Sequence, residues 1–229
     1  MVDIARNLET VQSKIRAACE KSGRDFSDIT LIAVSKTQSC ARISELASLG
    51  VLHFGENRVQ ELLEKRPQVS HNITWHMIGH LQTNKVKSII DKVALIHSVD
   101  SYKLAEEINK HAKTNEKIME ILVEINIAAE ESKFGIEPAE LHEFLISIAG
   151  FKNIMVKGLM CIAPYVENPE ENRLYFRKMR QMFVDSKAIS ANNIYMQYLS
   201  MGMTIDYEVA IEEGANMIRV GTGIFGERD

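Results

Sequence analysis

The feature that most constrains the fold is a regular alternation of short apolar segments with amphipathic helical patterns. Strands buried on both faces of a parallel sheet are near-continuous apolar runs, and residues 31–34 (LIAV) form such a run. Helical spacing of apolar residues follows it, at Ile43, Leu46 and Ala47. The strand-like segments contain ITLIAVSKT, VLHFGEN, TWHMIGH, VALIHSVD, IMEILVEINIA, MVKGLMCIA, IYMQYLSMG and ANMIRVGTG.

Eight strand and helix units within 229 residues predict a closed (β/α)8 barrel of the TIM type. An additional amphipathic helix opens the chain, with apolar residues at helical spacing from Ile4 to Ala18. The eight units leave no length for a second domain, so we expect one domain over residues 1–229. The rival architecture is an open doubly wound sheet, which also alternates strands with helices.

Composition and charge indicate which partners to expect. The chain is 45% apolar and 25% charged, which is typical of a globular protein. A net charge of -4 provides no basic field for nucleic acid. No segment approaches the roughly 20 apolar residues of a membrane span, and the N-terminus lacks a signal-type apolar block. Three well-separated cysteines without CxxC spacing are typical of reduced thiols. We therefore expect a cytoplasmic monomer with no nucleic-acid or membrane partner.

Lys36 is the first candidate for chemistry, because it follows the first apolar strand directly. An ammonium group in low-dielectric surroundings loses hydration, which lowers its pKa and populates the nucleophilic amine. A lysine that forms a Schiff base needs that state. The alternative is a strand-end lysine that extends past the core into water.

The loop after the seventh predicted strand has the composition of a phosphate site. Active sites of barrels lie at the carboxyl ends of the strands, and the loops after strands seven and eight often bind phosphate. Ser200 offers a hydroxyl, and Gly202 permits a close approach of the backbone. We expect the next helix to present free N–H groups from about residue 204 to 206.

The loop after the eighth strand repeats this chemistry. Gly221 and Gly223 expose backbone amides, and Thr222 adds a hydroxyl. Arg219, on the strand itself, brings a permanent cation that needs an acceptor. Residues 221–226 (GTGIFG) match the dinucleotide fingerprint, but only three residues follow, so no helix can receive a pyrophosphate. The two loops therefore predict one phosphate site.

A lysine, a phosphate cradle and an arginine together suit an aldehyde that bears a phosphate and an aromatic nitrogen, as pyridoxal 5'-phosphate does. Six motifs occur in order, namely AVSKT, HFGENRVQE, MIGHLQTNK, SKFG, LSMGMTID and IRVGTGIFG. They closely resemble the pyridoxal phosphate homeostasis protein family along nearly the whole chain. Those proteins resemble the N-terminal barrel of alanine racemase and of bacterial-type ornithine decarboxylase.

The resemblance implies a set of cofactor-binding residues. These are Lys36, Asn57, His80, Ser200, Met201, Gly202, Arg219, Gly221, Thr222 and Gly223. It implies that the phosphate is held by Ser200, Gly202, Gly221 and Thr222. Met201 and Gly223 are expected to add backbone contacts.

The resemblance also assigns roles to the remaining members of the set. Lys36 forms the Schiff base, and Arg219 faces the pyridine nitrogen. Asn57 and His80 line the mouth of the barrel or orient neighbouring side chains. The implied function is homeostasis of intracellular pyridoxal phosphate (vitamin B6), with apo enzymes as recipients of the cofactor.

Binding without turnover is the favoured reading, and no residue is assigned a catalytic role. A carboxylate at the pyridine nitrogen keeps the ring protonated in most such enzymes, whereas Arg219 cannot. Related enzymes use a tyrosine from a β domain of the partner subunit as a second base, and we expect no such domain here. Tyr165 and Tyr198 are candidate substitutes, although ring packing is favoured for both.

Two alternatives stay open. The first is a genuine pyridoxal phosphate enzyme, such as an amino-acid racemase, with Lys36 as its only base. The second is a lysine-dependent aldolase that uses no cofactor and holds a sugar phosphate in the same loops. No metal site is predicted, because His142-Glu143 lacks the second histidine of a zincin motif and His76 and His80 lie on a strand-like run.

Overall fold

Eight parallel strands close into a barrel in which each strand pairs with its neighbours in sequence and the last pairs with the first. This computed structural model describes residues 2–69, 72–130 and 133–227. The strands are β1 Thr30–Val34, β2 His53–Glu56, β3 Thr74–Met77, β4 Leu95–Val99, β5 Met119–Ile125, β6 Ile154–Cys161, β7 Ile194–Ser200 and β8 Met217–Val220. Closure between β1 and β8 confirms the predicted barrel, and the doubly wound alternative is wrong.

Helices surround the barrel. They are α1 Ile4–Ser22, α2 Cys40–Ser48, α3 Val59–Lys65, α4 Val86–Ile89, α5 Tyr102–Thr114, α6 Leu141–Ile148, α7 Arg173–Ser186, α8 Tyr207–Glu212 and α9 Thr222–Phe225. The predicted first helix, α1, packs against α8 and α9, and Asn7 Nδ2 donates to the carbonyl oxygen of Ile224 at 3.0 Å. No helix in the described part of the chain is long and apolar enough to cross a membrane.

The helices differ from the sequence expectations in detail. Pro138 and Pro169 open short 3-10 turns that lead into α6 and α7, because the fixed φ of proline suits a first turn. The helix predicted after β3 is reduced to the single turn α4. The glycine-rich segment after β8 forms another single turn, α9, which the sequence pattern did not predict.

The barrel interior changes from apolar to polar toward the carboxyl ends of the strands. A buried apolar cluster inside the barrel comprises Ile32, Leu95, Leu122, Met160 and Met217, with Tyr198 packed against it. Side chains two residues further along a strand point the same way. On β4, β7 and β8 those residues are His97, Ser200 and Arg219, and all are buried. A polar layer therefore underlies the carboxyl-end mouth, where barrel enzymes place their sites.

Candidate functional site

The mouth holds a cavity of about 410 Å³ at the carboxyl ends of β1, β6, β7 and β8. Four of the ten predicted residues line it, namely Lys36, Arg219, Gly221 and Thr222. Pockets for small molecules span roughly 300–1,000 Å³. The cavity therefore suits one small ligand.

Lys36 lies two residues beyond the end of β1 and is half-buried on the cavity wall. Both of its neighbours are anchored. The ammonium of Lys65 donates to the carbonyl oxygen of Ser35 at 2.8 Å, and the N–H of Thr37 donates to Glu61 Oε2 at 2.7 Å. Thr37 has a φ of 63°, which is unusual for a β-branched residue. These contacts hold the backbone that carries Lys36.

Glu56 completes this anchor from the end of β2. Its Oε1 accepts from Lys65 Nζ at 2.8 Å and from Ser35 Oγ at 2.7 Å. The side chain is fully buried, and Oε2 has no hydrogen-bond partner among the described residues. Burial raises the pKa of Glu56, while the hydrogen bonds from Lys65 and Ser35 oppose that shift. The ammonium of Lys65 is thus the charge that compensates a buried carboxylate.

The loop after β8 gathers hydrogen-bond donors around one hydroxyl. The N–H groups of Gly221 and Gly223 donate to Thr204 Oγ1 at 3.4 and 3.3 Å, and Thr222 Oγ1 donates to the same atom at 3.3 Å. All three bonds are long for their type. A phosphate oxygen is a stronger acceptor than a hydroxyl for such donors. The three donors therefore have the arrangement of an anion cradle, and the Thr204 hydroxyl occupies the acceptor position.

The loop after β7 supplies shape, and several of its N–H groups donate within the protein. The Met201 N–H donates to the carbonyl oxygen of Met217 at 3.1 Å. Gly202 has a φ of 90°, and a Cβ there would lie 2.6 Å from Cβ of Ala210. The expectation of free N–H groups through residue 206 is wrong at Asp206, whose N–H donates to the carbonyl oxygen of Met203 at 3.1 Å. The glycine lets this loop run close to α8 and brings Thr204 to the cradle.

Arg219 brings a buried positive charge to the floor of the cavity. It is only 4% exposed. Its Nη1 donates to Ser200 Oγ at 2.6 Å and its Nη2 to the carbonyl oxygen of Cys161 at 2.8 Å. Both acceptors are neutral, and no carboxylate of the described residues pairs with the guanidinium within 4.0 Å. Burial lowers the pKa of Arg219, yet a guanidinium stays charged in proteins, so the cavity floor favours an electron-rich ligand atom.

Ser200 lies below the cavity rather than on its wall. Its hydroxyl is fully buried and contacts Arg219 and His97. Asn57 and His80 also lie away from the cavity wall. Asn57 passes so close to Gly79 that a Cβ at Gly79 would meet its carbonyl oxygen. His80 Nδ1 lies 3.0 Å from Asp100 Oδ2, and its ring stacks on Phe134 with 3.7 Å between centroids. Their predicted contacts with a cofactor remain predictions.

Several residues of the site were missed or misread in the sequence. The Thr204 hydroxyl and the side chains of Glu56 and Lys65 were not singled out, although Thr204 and Glu56 belong to quoted motifs. The packing interpretation of Tyr165 is wrong, because this cavity residue is 82% exposed. Ser132 of the SKFG motif lies outside the described residues. The described part of the chain contains no group of three or more histidine, cysteine, aspartate or glutamate residues that could hold a metal.

The fold and the mouth site define a barrel of the alanine racemase N-terminal type. A family model described as the N-terminal domain of alanine racemase matches residues 4–229. An alanine racemase structure from Clostridium difficile shares the fold, with a TM-score of 0.68 and 17% identity over 97% of this chain and 56% of that chain. The family model and the similarity of fold therefore identify the same type of barrel.

More similar proteins narrow the assignment. The pyridoxal phosphate homeostasis protein of Aquifex aeolicus is 44% identical over 228 residues, which is 99% of each chain. That of Escherichia coli is 38% identical over 100% of this chain and 98% of the relative. PipY of Synechococcus elongatus, solved with pyridoxal phosphate bound, superposes with a TM-score of 0.84 and 32% identity over 98% of this chain and 100% of that chain. This chain belongs to the pyridoxal phosphate homeostasis protein family, which confirms the resemblance.

Glu124, on β5, makes stability depend on pH. Burial, followed by the charge of Asp100, raises its pKa to about 7. A glutamate in an unfolded chain has a pKa of about 4.3. Between those values the folded state keeps a proton that the unfolded state has lost, so stability falls as pH rises. We expect Glu124→Gln to be more stable than the wild type by about 4 kcal/mol at pH 8, because this loss is absent, and to differ little from it at pH 4. Urea unfolding at both pH values measures the difference, and a pH-independent difference would contradict the assignment.

Proposed function

We propose that this chain binds pyridoxal 5'-phosphate as a Schiff base at Lys36 and serves in the homeostasis of the cofactor. The observation that carries the proposal is a single cavity lined by a lysine, a buried guanidinium and the loops of an anion cradle. These groups match the aldehyde, the ring nitrogen and the phosphate of this one cofactor. The names of the full-length relatives and the cofactor bound in PipY support the same ligand.

Each part of the cavity has one task in this proposal. The ε-amine of Lys36 would hold the aldehyde of the cofactor as a Schiff base. The N–H groups of Gly221 and Gly223, with the Thr222 hydroxyl, would hold its phosphate in place of the Thr204 hydroxyl. The guanidinium of Arg219 would donate to the ring nitrogen, which would then stay unprotonated.

The remaining predicted residues act around this core. Ser200 supports Arg219, and Gly202 and Met201 shape the loop that carries Thr204. Asn57 and His80 orient the opposite rim of the mouth. The functional unit spans residues 1–229, works as a cytoplasmic monomer, and passes its cofactor to apo enzymes that need it.

Binding rather than turnover is the proposed role, because an unprotonated ring stabilises a carbanion weakly. Amino-acid racemisation is the second candidate, and the exposed Tyr165 on the cavity wall is the observation that favours it. Incorporation of solvent deuterium at Cα of alanine by the loaded protein would support that candidate. An aldolase without cofactor would be colourless as purified and would cleave a carbon–carbon bond of a sugar phosphate.

Titration of the apo protein with pyridoxal phosphate, and with pyridoxal as the control, tests the proposal. We expect a visible absorption band that saturates at one equivalent of pyridoxal phosphate. Pyridoxal keeps the aldehyde and the ring but lacks the phosphate, so its affinity should fall on the order of 1,000-fold if the three charge-assisted hydrogen bonds of the cradle are lost. Equal affinities for the two compounds would refute the cradle, and no band with either would refute the Schiff base.

A further inference from the structure

A continuous chain of hydrogen bonds runs through the barrel interior below the cavity. Arg219 Nη1 donates to Ser200 Oγ at 2.6 Å, and Ser200 Oγ lies 3.1 Å from His97 Nδ1. His97 Nε2 lies 3.0 Å from His76 Nδ1, and His76 Nε2 lies 3.0 Å from His53 Nδ1. The chain thus links β8, β7, β4, β3 and β2 through side chains. The proposed function makes no use of its three imidazoles.

The direction of this chain follows from its first member. A guanidinium only donates, so Ser200 Oγ accepts from Arg219. The hydroxyl proton of Ser200 then has His97 Nδ1 as its acceptor among the described contacts, which leaves the proton of His97 on Nε2. In the same way, His97 Nε2 donates to His76 Nδ1, and His76 Nε2 donates to His53 Nδ1. The opposite direction would leave the buried hydroxyl proton of Ser200 without an acceptor, which is costly.

The imidazoles suit this arrangement because they are neutral. Burial, followed by the charge of His53, lowers the pKa of His76 to about 3. Burial lowers the pKa of His97 well below its ordinary value and also lowers the pKa of His53. A neutral imidazole donates through one nitrogen and accepts through the other. Each ring can therefore accept a hydrogen bond at Nδ1 and donate one from Nε2, so the donor direction is the same along the whole chain.

The far end of the chain reaches a second cavity. His53 lines a pocket of about 270 Å³ at the amino ends of β1 and β2, beside Gln12 and Phe26. Apolar side chains would fill the interior without the desolvation that buried polar groups incur. Three rings in one hydrogen-bonded line therefore need a reason beyond packing.

We propose that His97 and His76, with His53 as the terminal residue, are positioning residues that lock the Ser200 hydroxyl as an acceptor and so fix the guanidinium of Arg219 toward the cavity. Hydrogen bonds in one line polarise each other, so the loss of one weakens the rest. The locked tautomers belong to the protein without ligand. The consequence for the cofactor rests on the proposed function, in which Arg219 faces the pyridine ring.

Nitrogen NMR of the apo protein with ¹⁵N-labelled histidine tests the lock without any cofactor. We expect His53, His76 and His97 each to show a protonated Nε2 and an unprotonated Nδ1 at neutral pH. Ser200→Ala removes the donor to His97, so the Nδ1 signal of His97 should shift, while exposed His142 provides an unchanged internal reference. A proton on Nδ1 of His97 or His76, or an unchanged His97 signal in Ser200→Ala, would overturn the proposal.

A pair of substitutions at His76 separates positioning from packing. Phenylalanine fills the space of the ring but cannot hydrogen-bond, whereas glutamine keeps a donor and an acceptor. In apo protein labelled with ¹⁵N in both histidine and arginine, we expect His76→Phe to shift the Nε2 signal of His97 and the side-chain signals of Arg219. The same variant should bind pyridoxal phosphate about tenfold more weakly. His76→Gln should recover part of both effects, and His142→Phe should show neither.

The NMR signals of the apo protein test the positioning role, and the binding of pyridoxal phosphate tests the proposed function, so failure of one can be distinguished from failure of the other. Unchanged His97 and Arg219 signals in a folded His76→Phe variant would overturn the positioning role. Equal behaviour of the Phe and Gln variants would also overturn it, because packing alone would then explain the effect. If wild-type protein binds no pyridoxal phosphate while the apo signals behave as expected, the proposed function fails and the lock stands. If His76→Phe does not fold, the wild-type tautomers and the Gln variant decide.

Discussion

Lys36→Ala is expected to abolish the visible absorption band that pyridoxal phosphate gives with the wild-type protein. The band requires an imine, and the substitution removes the amine of Lys36, which lines the same cavity as Thr204 and Arg219. Non-covalent binding should persist at reduced affinity, because the N–H groups of Gly221 and Gly223 lie on another loop. Absorption and equilibrium dialysis measure the two effects separately.

Lys133→Ala is the matched control, since Lys133 lines the same cavity. Its ammonium lies 2.7 Å from Glu130 Oε1, which engages it in an ion pair. The Lys133→Ala variant should keep the full band. A band that survives in Lys36→Ala and disappears in Lys133→Ala would move the Schiff base to Lys133 and would contradict the proposed role of Lys36.

Lys65→Met is expected to destabilise the fold by about 3–5 kcal/mol, because it leaves a buried carboxylate without its compensating charge. Glu56 is fully buried and loses its partner at 2.8 Å. Without the ammonium the pKa of Glu56 rises further, so the folded state takes up a proton. A carboxyl group whose pKa is raised in the folded state destabilises the fold at pH values above its pKa in the unfolded chain. The stability lost in Lys65→Met should therefore become smaller as pH falls. Denaturant unfolding at pH 5 and pH 8 measures both effects.

An exposed lysine provides the comparison. Lys14 pairs with Glu208 at 2.9 Å, and their side chains are 53% and 40% exposed. Exposed ion pairs contribute about 0–1 kcal/mol, so Lys14→Met should change stability by no more than that. Equal losses in the Lys14 and Lys65 variants would contradict the anchoring role of Lys65. Restoration of stability by the double substitution Lys65→Met with Glu56→Leu would support it.

The fold was predictable because parallel barrel strands are buried on both sides and therefore show as apolar runs. Ser39 caps α2 as its residue type suggests, accepting from the N–H of Arg42. The short helices were harder, because α4 and α9 have only one turn each. A single turn is too short for the repeated apolar spacing that identifies a helix.

The site was predictable where chemistry and position coincide along the chain. Lys36 and Arg219 stand at strand ends, and Gly221 marks the turn after β8. Sequence reasoning missed the role of His97 and the acceptor position of Thr204, because both depend on which residues meet across strands. Polar residues on otherwise apolar strands, two positions beyond an inward apolar residue, are the signal that could have identified His97.

The Lys65 anchor was harder to foresee than the histidines. Lys65 is the last residue of α3, where a lysine ordinarily interacts with the helix dipole and water. Its burial depends on Glu56, which lies nine positions earlier on β2. Only the packing of α3 against β2 brings these charges together.

The most direct test of the account is to reduce the wild-type complex with borohydride and map the modified peptide by mass spectrometry. Reduction converts the imine to a stable secondary amine, so the label records which lysine held the cofactor. We predict one pyridoxyl phosphate group per chain, carried by Lys36. A label on Lys133 or another lysine, or no label on protein saturated with pyridoxal phosphate, would show that Lys36 does not hold the cofactor as a Schiff base.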